Sequence, residues 1–316
     1  NAISNNDADM NVIVHSIQMY DILIDSQKVW PILENSDIVK QFITIASYSK
    51  DDAQVSEMAL NSMEKLIRIP TIRDQFNDIL LVKTLVAVSR LNTKSESHAN
   101  HVITITMFLD PELGPSLKKL CNVLIIYSQN FQDIEDLQAR LLLSFLNIAT
   151  TQILEQISST ALPHFVQISD LYPNDFPIFR SVVILAGRCP AEYCPKSLID
   201  SILFHKDNLV RNRDVLSGAI SILATKFKSE DIPIDAITIS YFAMMNLITN
   251  QKAVKQALTV CYHSLTKSKG QFPPDVDLLS AISSIIMLHS DNPSIIRRSS
   301  VVIHSLISHL DELALN

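Results

Sequence analysis

The chain has 316 residues, 47% of them hydrophobic, which is enough apolar side chain to form a large core. Only four glycines occur, far below the usual share of about 7%. Sheet-rich folds, phosphate-binding loops and tight hairpins depend on glycine, so the composition favours helices joined by short polar turns. A net charge of −7 argues against nucleic acid as the main ligand, because phosphate binding needs a clustered positive surface.

The chain begins with a polar stretch, residues 1–9 (NAISNNDAD), in which Asn1 and Ala2 resemble a cloning scar. The remainder, residues 10–316, is expected to be a single repeat domain of a longer protein. Its four cysteines are too few for a disulfide scaffold at this length, so a reducing compartment and a cytoplasmic location are predicted. No apolar run reaches the roughly 18–20 residues of a membrane span.

Seven segments share one amphipathic design, with apolar residues at three- and four-residue steps on a single face. In chain order they are VSEMALNSMEKLI (55–67), SHANHVITITMFL (97–109), LQARLLLSFLNIA (137–149), FRSVVILAGR (179–188), DVLSGAISILATKF (214–227), KAVKQALTVCYHSL (252–265) and NPSIIRRSSVVIHSLISHL (292–310). One small or apolar position aligns them at Leu60, Val102, Leu141, Val182, Ala219, Ala257 and Val301. The steps are 42, 39, 41, 37, 38 and 44 residues, a period typical of helical repeats.

The last segment illustrates the design. Asp291 or Asn292 is expected to cap a helix that begins at Pro293. Arg297 and Arg298 lie outside its predicted apolar stripe, which comprises Ile295, Ile296, Ser299, Ile303, Leu306, Ile307 and Leu310.

A second, more apolar helical segment lies between these anchors. The examples are DILLVKTLVAVSRL (78–91), SLKKLCNVLIIYS (116–128), AITISYFAMMNLI (236–248) and DVDLLSAISSIIML (275–288). A helix covered on both flanks by its neighbours in a stack needs this apolar character. Thirteen prolines punctuate the chain and favour many short helices over a few long ones.

In period and pattern, residues 36–310 resemble the armadillo/HEAT superfamily of helical repeats. The nearest motif-like stretches are SEMALNSMEKLIRI (56–69) and DNPSIIRRSSVVIHSL (291–306). The resemblance implies an all-α fold, a right-handed α-solenoid of about seven repeats. The chain mostly lacks the glycine that armadillo repeats carry between their first two helices, so the armadillo and HEAT subtypes both stay open. Trp30 is followed by Glu34 rather than by asparagine, so the resemblance does not extend to binding of nuclear-localisation signals.

The resemblance also implies a binding surface. In this superfamily the last helix of each repeat lines the concave side, where an extended partner segment binds. Polar residues outside the apolar stripes of those helices are therefore the predicted partner contacts: Lys83, Lys119, Asn122, Tyr241 and Asn246. An asparagine side chain can bond both the N–H and the C=O of an extended peptide, which suits it to this position.

Charge is unevenly distributed along the chain. Residues 1–61 carry nine acidic and three basic side chains, whereas residues 206–269 carry nine basic and five acidic ones. A solvated surface with a chance bias would explain this. The alternative is a basic patch that attracts an acidic peptide or an anionic membrane surface, and its predicted members are Lys252, Lys255, Lys267 and Lys269.

No catalytic or metal-binding motif is recognisable. His98 and His101 could share a helix face, but a metal site needs three or four converging ligands. The stretch CPAEYC (189–194) has four residues between its cysteines and no second pair, so a proline-rich turn is the favoured interpretation. The chain has no Gly-x-Ser-x-Gly and no glycine-rich phosphate loop. We therefore expect no catalytic residues, no metal, no cofactor and no enzymatic activity.

The predicted function is a non-catalytic scaffold or adaptor that binds a protein or peptide partner in the concave groove. One alternative is a regulatory domain of a larger enzyme or cytoskeletal factor. Another is a membrane-trafficking adaptor whose basic late repeats meet anionic lipid.

Overall fold

The computed structural model describes residues 10–267 and 276–314. Within these ranges the chain is helical and has no β-strand, which confirms the predicted all-α class. The helices are α1 (Met10–Ile24), α2 (Trp30–Glu34), α3 (Ile38–Tyr48), α4 (Ala53–Ile67), α5 (Ile79–Leu91), α6 (Glu96–Thr106), α7 (Leu117–Asn130), α8 (Glu135–Ile148), α9 (Thr151–Leu171), α10 (Phe176–Arg188), α11 (Ser197–Phe204), α12 (Lys206–Arg211), α13 (Arg213–Thr225), α14 (Ala236–Asn246), α15 (Gln251–Leu265), α16 (Leu278–Leu288) and α17 (Pro293–Ala314). Short 3-10 turns join several of them.

Polar residues placed just before the apolar runs begin these helices. The Asp52 carboxylate accepts hydrogen bonds from the backbone N–H groups of Gln54 and Val55, and Asp78 accepts one from Leu80. Such caps satisfy donors that have no partner inside the helix. At the start of α17, the Asn292 side chain accepts a hydrogen bond from the Ile295 N–H. Of the two predicted caps, Asp291 and Asn292, it is therefore Asn292 that makes the capping contact.

The chain divides into two compact units, residues 1–157 and 158–316, and the boundary falls within α9. In unit 1 the helices form two rows. We call α1, α4, α6 and α8 the first row, because each contacts the next, and α3, α5 and α7 the second row. Consecutive helices also pair across the rows, α3 with α4, α5 with α6 and α7 with α8.

Hydrogen bonds between neighbouring first-row helices join residues about forty positions apart. Ser62 donates to the Asp21 carboxylate at 2.6 Å, 41 residues away, and the Ser144 hydroxyl donates to the Ile103 carbonyl at 3.0 Å, also 41 residues away. The spacing of about forty residues that the sequence pattern indicates is therefore present in the contacts of unit 1.

Unit 2 is built on the same plan. Its first row is α10, α13, α15 and α17, and its second row is α12, α14 and α16. The Lys226 ammonium donates to the Cys189 carbonyl at 2.5 Å, 37 residues away, and the Asn292 amide donates to the Gln251 side chain at 2.9 Å, 41 residues away.

The alignment positions lie on first-row helices, and six of the seven are fully buried: Leu60, Val102, Leu141, Val182, Ala219 and Ala257. Val301 is 44% exposed, so the predicted alignment of the last segment is wrong there. The buried side of α17 is instead formed by Ile295, Ser299, Val302 and Leu306. These residues follow steps of four, three and four, and the predicted stripe members Ile296, Ile303 and Ile307 lie partly or largely in solvent.

Candidate functional site

A groove lies between the second-row helices α5 and α7 of unit 1, with a volume of about 250 Å³. Its floor is apolar, because it consists of Val82 and Val86, which are 1% and 6% exposed. Its rim is cationic, since Lys83, Arg90 and Lys119 line it and are exposed. Helix geometry explains why Lys83 and Arg90 line the same groove. They are seven positions apart, which is about two turns, so they lie on the same face of α5.

The turn at the start of α7 completes the groove. Pro115 and Ser116 line it, and the preceding Gly114 has a φ of +63°, the only positive glycine φ in the part of the chain that the structure describes. Glycine adopts this conformation without a steric penalty, which lets the chain turn sharply from the 3-10 turn 111–116 into α7. The position of Lys119 beside α5 depends on that turn.

The second row of unit 1 carries no acidic residue within its helices. The sequences of α3, α5 and α7 contain five cations and neither aspartate nor glutamate. Acidic side chains of this region lie on the first-row helices instead, including Glu57 and Glu64 on α4 and Glu135 on α8. The acids nearest to the groove in sequence are Glu112, three residues before Pro115, and Asp78, whose carboxylate caps α5. A chain with a net charge of −7 therefore presents a locally cationic face in unit 1.

Three of the predicted partner contacts belong to this face. Lys83 and Lys119 line the same groove, and Asn122 is exposed one turn beyond Lys119 on α7. Ile126, which is 39% exposed, follows on the same side of the helix. Sequence reasoning missed Arg90, although its seven-residue spacing from Lys83 was the signal that could have found it.

The other two predicted contacts lie on α14 in unit 2, in different surroundings. Tyr241 is half-buried, with its ring 5.5 Å from that of Phe242. The Asn246 amide donates to the Val210 carbonyl at 3.2 Å, so this side chain already holds α14 against the end of α12. Neither α14 nor α16 contains a charged residue. Their exposed side chains are uncharged and include Met245 and Met287, which are 42% and 74% exposed.

The predicted basic patch is only partly available at the surface. Lys252 is exposed and Lys255 is half-buried on α15. Lys267 donates to the backbone carbonyls of Glu230 and Ile232 at 2.7 and 2.6 Å, so its ammonium group serves the local fold. Lys269 lies outside the described residues. Arg297 and Arg298 on α17 add cationic charge next to α15 that the predicted patch did not include.

The two histidines considered as metal ligands instead join α4 to α6. The His98 ring is 1% exposed and contacts the Ser56 and Ser95 hydroxyl groups at 3.1 and 2.9 Å. Its burial holds the His98 pKa below the ordinary value, which keeps the ring neutral at physiological pH. His101 contacts the Glu64 carboxylate at 2.7 Å. Among residues 10–267 and 276–314, no three histidine, cysteine or acidic side chains converge to hold a metal ion.

The cysteine-containing turn 189–194 places one thiol in the core. Cys189 is 1% exposed, and Cys194 is half-buried; neither forms a disulfide. Burial raises the pKa of the Cys194 thiol to about 11. A thiol with such a pKa is protonated at neutral pH and is a poor nucleophile.

Comparison of the chain with protein-family models, with curated proteins and with solved structures finds no match. No helix in the described ranges combines the length and the hydropathy required to cross a membrane.

Proposed function

We propose that the chain is a non-catalytic protein-binding module, a scaffold or adaptor of the cytoplasm, whose cationic face in unit 1 binds an acidic, extended segment of a partner protein. The single observation that carries the proposal is the groove between α5 and α7, in which Lys83, Arg90 and Lys119 surround an apolar floor. Acidic residues are absent from the helices α3, α5 and α7 that form this face.

The fold behind this proposal is a right-handed solenoid of about seven armadillo- or HEAT-like repeats. Its support is the two-row packing within each unit and the hydrogen bonds that join residues 37 to 41 positions apart. In such an array each repeat contacts only its neighbours, and the second-row helices would line the concave side. Binding energy would then be spread over several repeats.

The chemistry of the groove selects its occupant. The Arg90 guanidinium can form paired hydrogen bonds with a carboxylate, while Lys83 and Lys119 act as mobile point charges at the rim. Val82 and Val86 offer an apolar floor for an aliphatic side chain of the same segment. The exposed Asn122 amide can bond the backbone of an extended peptide. A segment that alternates acidic and aliphatic residues meets all of these groups.

The proposal can be tested by selecting a random 12-residue peptide library on the full chain and measuring the affinities of the enriched peptides. The test variant combines Lys83→Glu, Arg90→Glu and Lys119→Glu. The matched control combines Lys28→Glu, Lys50→Glu and Lys94→Glu, which reverses three exposed lysines of unit 1 outside the groove and changes the net charge equally.

The enriched peptides should be rich in aspartate and glutamate. The groove variant should weaken their binding by at least about tenfold, and the control variant by much less, because reversing a contacting charge adds repulsion to the lost attraction. Circular dichroism should show both variants to be folded. Enrichment of neutral or basic peptides, or equal loss in the two variants, would overturn the proposal.

A further inference from the structure

The first-row helices α15 and α17 of unit 2 enclose a second groove, distinct from the cationic face of unit 1. Two adjoining hollows, of about 370 and 600 Å³, share Tyr262, Arg297 and Val301. The smaller hollow is also lined by Arg298, by the Thr259 hydroxyl and by the side chain of Leu258. We call the two hollows together the α15–α17 groove.

The groove has cationic donors and the Tyr262 hydroxyl, and none of its described lining residues is a carboxylate. The Thr259 hydroxyl donates to the Lys255 carbonyl of its own helix. The sequence of α15 contains no acidic residue, and none occurs in α17 from Pro293 to Ser308. Arg298 donates from its guanidinium to the Thr259 hydroxyl, which holds it across the smaller hollow. Arg297 is exposed and has no hydrogen-bond or ion-pair partner within the described residues.

This donor set matches a phosphate group more closely than a carboxylate. A phosphate monoester has three terminal oxygens and a charge of −1.5 to −2 at neutral pH, so it can accept bonds from two guanidinium groups and nearby hydroxyls at once. A carboxylate has two oxygens and a single charge. Leu258 and Val301 provide an apolar wall against which the carbon atoms of the residue that carries the phosphate can pack.

We propose that the α15–α17 groove binds a phosphorylated serine or threonine within a protein segment, with Arg297 and Arg298 holding the phosphate and Tyr262 and Thr259 bordering it. A peptide fits this site better than a lipid surface does, because the donors line hollows between two helices rather than a protruding face. Lys267 donates to two backbone carbonyls, so its ammonium group has fewer donors available for lipid headgroups.

The test uses the full chain and three fluorescein-labelled peptides that differ only at a central residue, which is phosphoserine, serine or aspartate. Fluorescence anisotropy gives each dissociation constant. The variants are Arg297→Gln and Arg298→Gln, with Arg213→Gln as the matched control, because Arg213 is an exposed arginine on α13 that does not line either hollow. Sedimentation with vesicles containing phosphatidylserine, at the same salt concentration, forms the lipid arm.

We expect saturable binding of the phosphoserine peptide, at least tenfold tighter than binding of the serine and aspartate peptides. Removing one charged hydrogen-bond donor should weaken it by about tenfold to a hundredfold in Arg297→Gln and Arg298→Gln, and Arg213→Gln should leave it unchanged. Equal binding of the aspartate peptide would overturn the preference for phosphate. Binding to vesicles without binding to the phosphopeptide, or no binding of the phosphopeptide at millimolar concentration, would overturn the site itself.

Because this site and the acidic-segment site lie in different units and use different variants, either proposal can fail while the other holds.

Discussion

Gln138 on α8 forms the hydrogen bonds that join α8 to the C-terminal end of α7. Substitutions at this position test how much those hydrogen bonds contribute to the stability of unit 1. The side chain is fully buried. Its amide nitrogen donates to the backbone carbonyls of Ser128 and Phe131 at 3.0 and 2.7 Å, and its amide oxygen accepts from the Ser128 hydroxyl at 2.6 Å. One glutamine therefore bonds two backbone carbonyl groups at the C-terminal end of α7, where helical carbonyls need partners from outside the helix.

Replacing Gln138 with methionine keeps the volume and removes all three hydrogen bonds. Each contributes about 0.5–1.5 kcal/mol net, so we expect the free energy of unfolding to fall by about 2–4 kcal/mol. Urea unfolding followed by circular dichroism measures the loss. The matched control is Gln129→Met, because Gln129 is exposed on α7, and it should change stability by less than about 0.5 kcal/mol.

Gln138→Glu separates hydrogen bonding from packing. A carboxylate at this position would face two carbonyl oxygens in a buried site, which raises its pKa above the value of about 4.3 in the unfolded chain. The variant should be least stable at neutral pH and should recover part of the loss as the pH falls towards 5, since the proton restores a donor. A methionine variant as stable as the original chain, or a glutamate deficit that does not depend on pH, would refute the role given to Gln138.

Two further predictions concern close packing and pH. A Cβ atom added at Gly218 would lie 3.0 Å from a methyl carbon of Val183, whereas one added at Gly187 would meet nothing within 4 Å. Both glycines lie inside helices and gain the same helix propensity on replacement by alanine, so Gly218→Ala should leave the chain about 1–3 kcal/mol less stable than Gly187→Ala does in the same urea unfolding experiment. Burial lowers the pKa values of His98 and His205 below 6.5 in the folded chain. As the pH falls below 6.5, the unfolded chain therefore binds more protons than the folded chain does. The free energy of unfolding should therefore be highest near pH 7.5 and should decline as the pH falls below 6.5 and through the folded pKa values. Urea midpoints that stay constant from pH 7.5 to 5.5 would contradict this.

The sequence by itself determined the features that depend on neighbours a few residues away. Apolar residues at three- and four-residue steps defined the helices, and Asn292, one of the two predicted caps, marked where α17 begins. The spacing of about forty residues was also readable, because each structural unit repeats the same local pattern. For these reasons the all-α class followed from periodicity and from the scarcity of glycine.

Tertiary structure decided which side of each helix meets another helix and which side chains remain at the surface. Lys83, Arg90 and Lys119 share one groove because α5 packs beside α7, a contact between residues about thirty positions apart. Lys267 and Asn246 resembled free surface residues, yet both donate to backbone carbonyls 35 to 37 residues earlier in the chain. Helical periodicity fixes the direction of a side chain relative to its own helix, whereas the partner it meets depends on how distant segments pack.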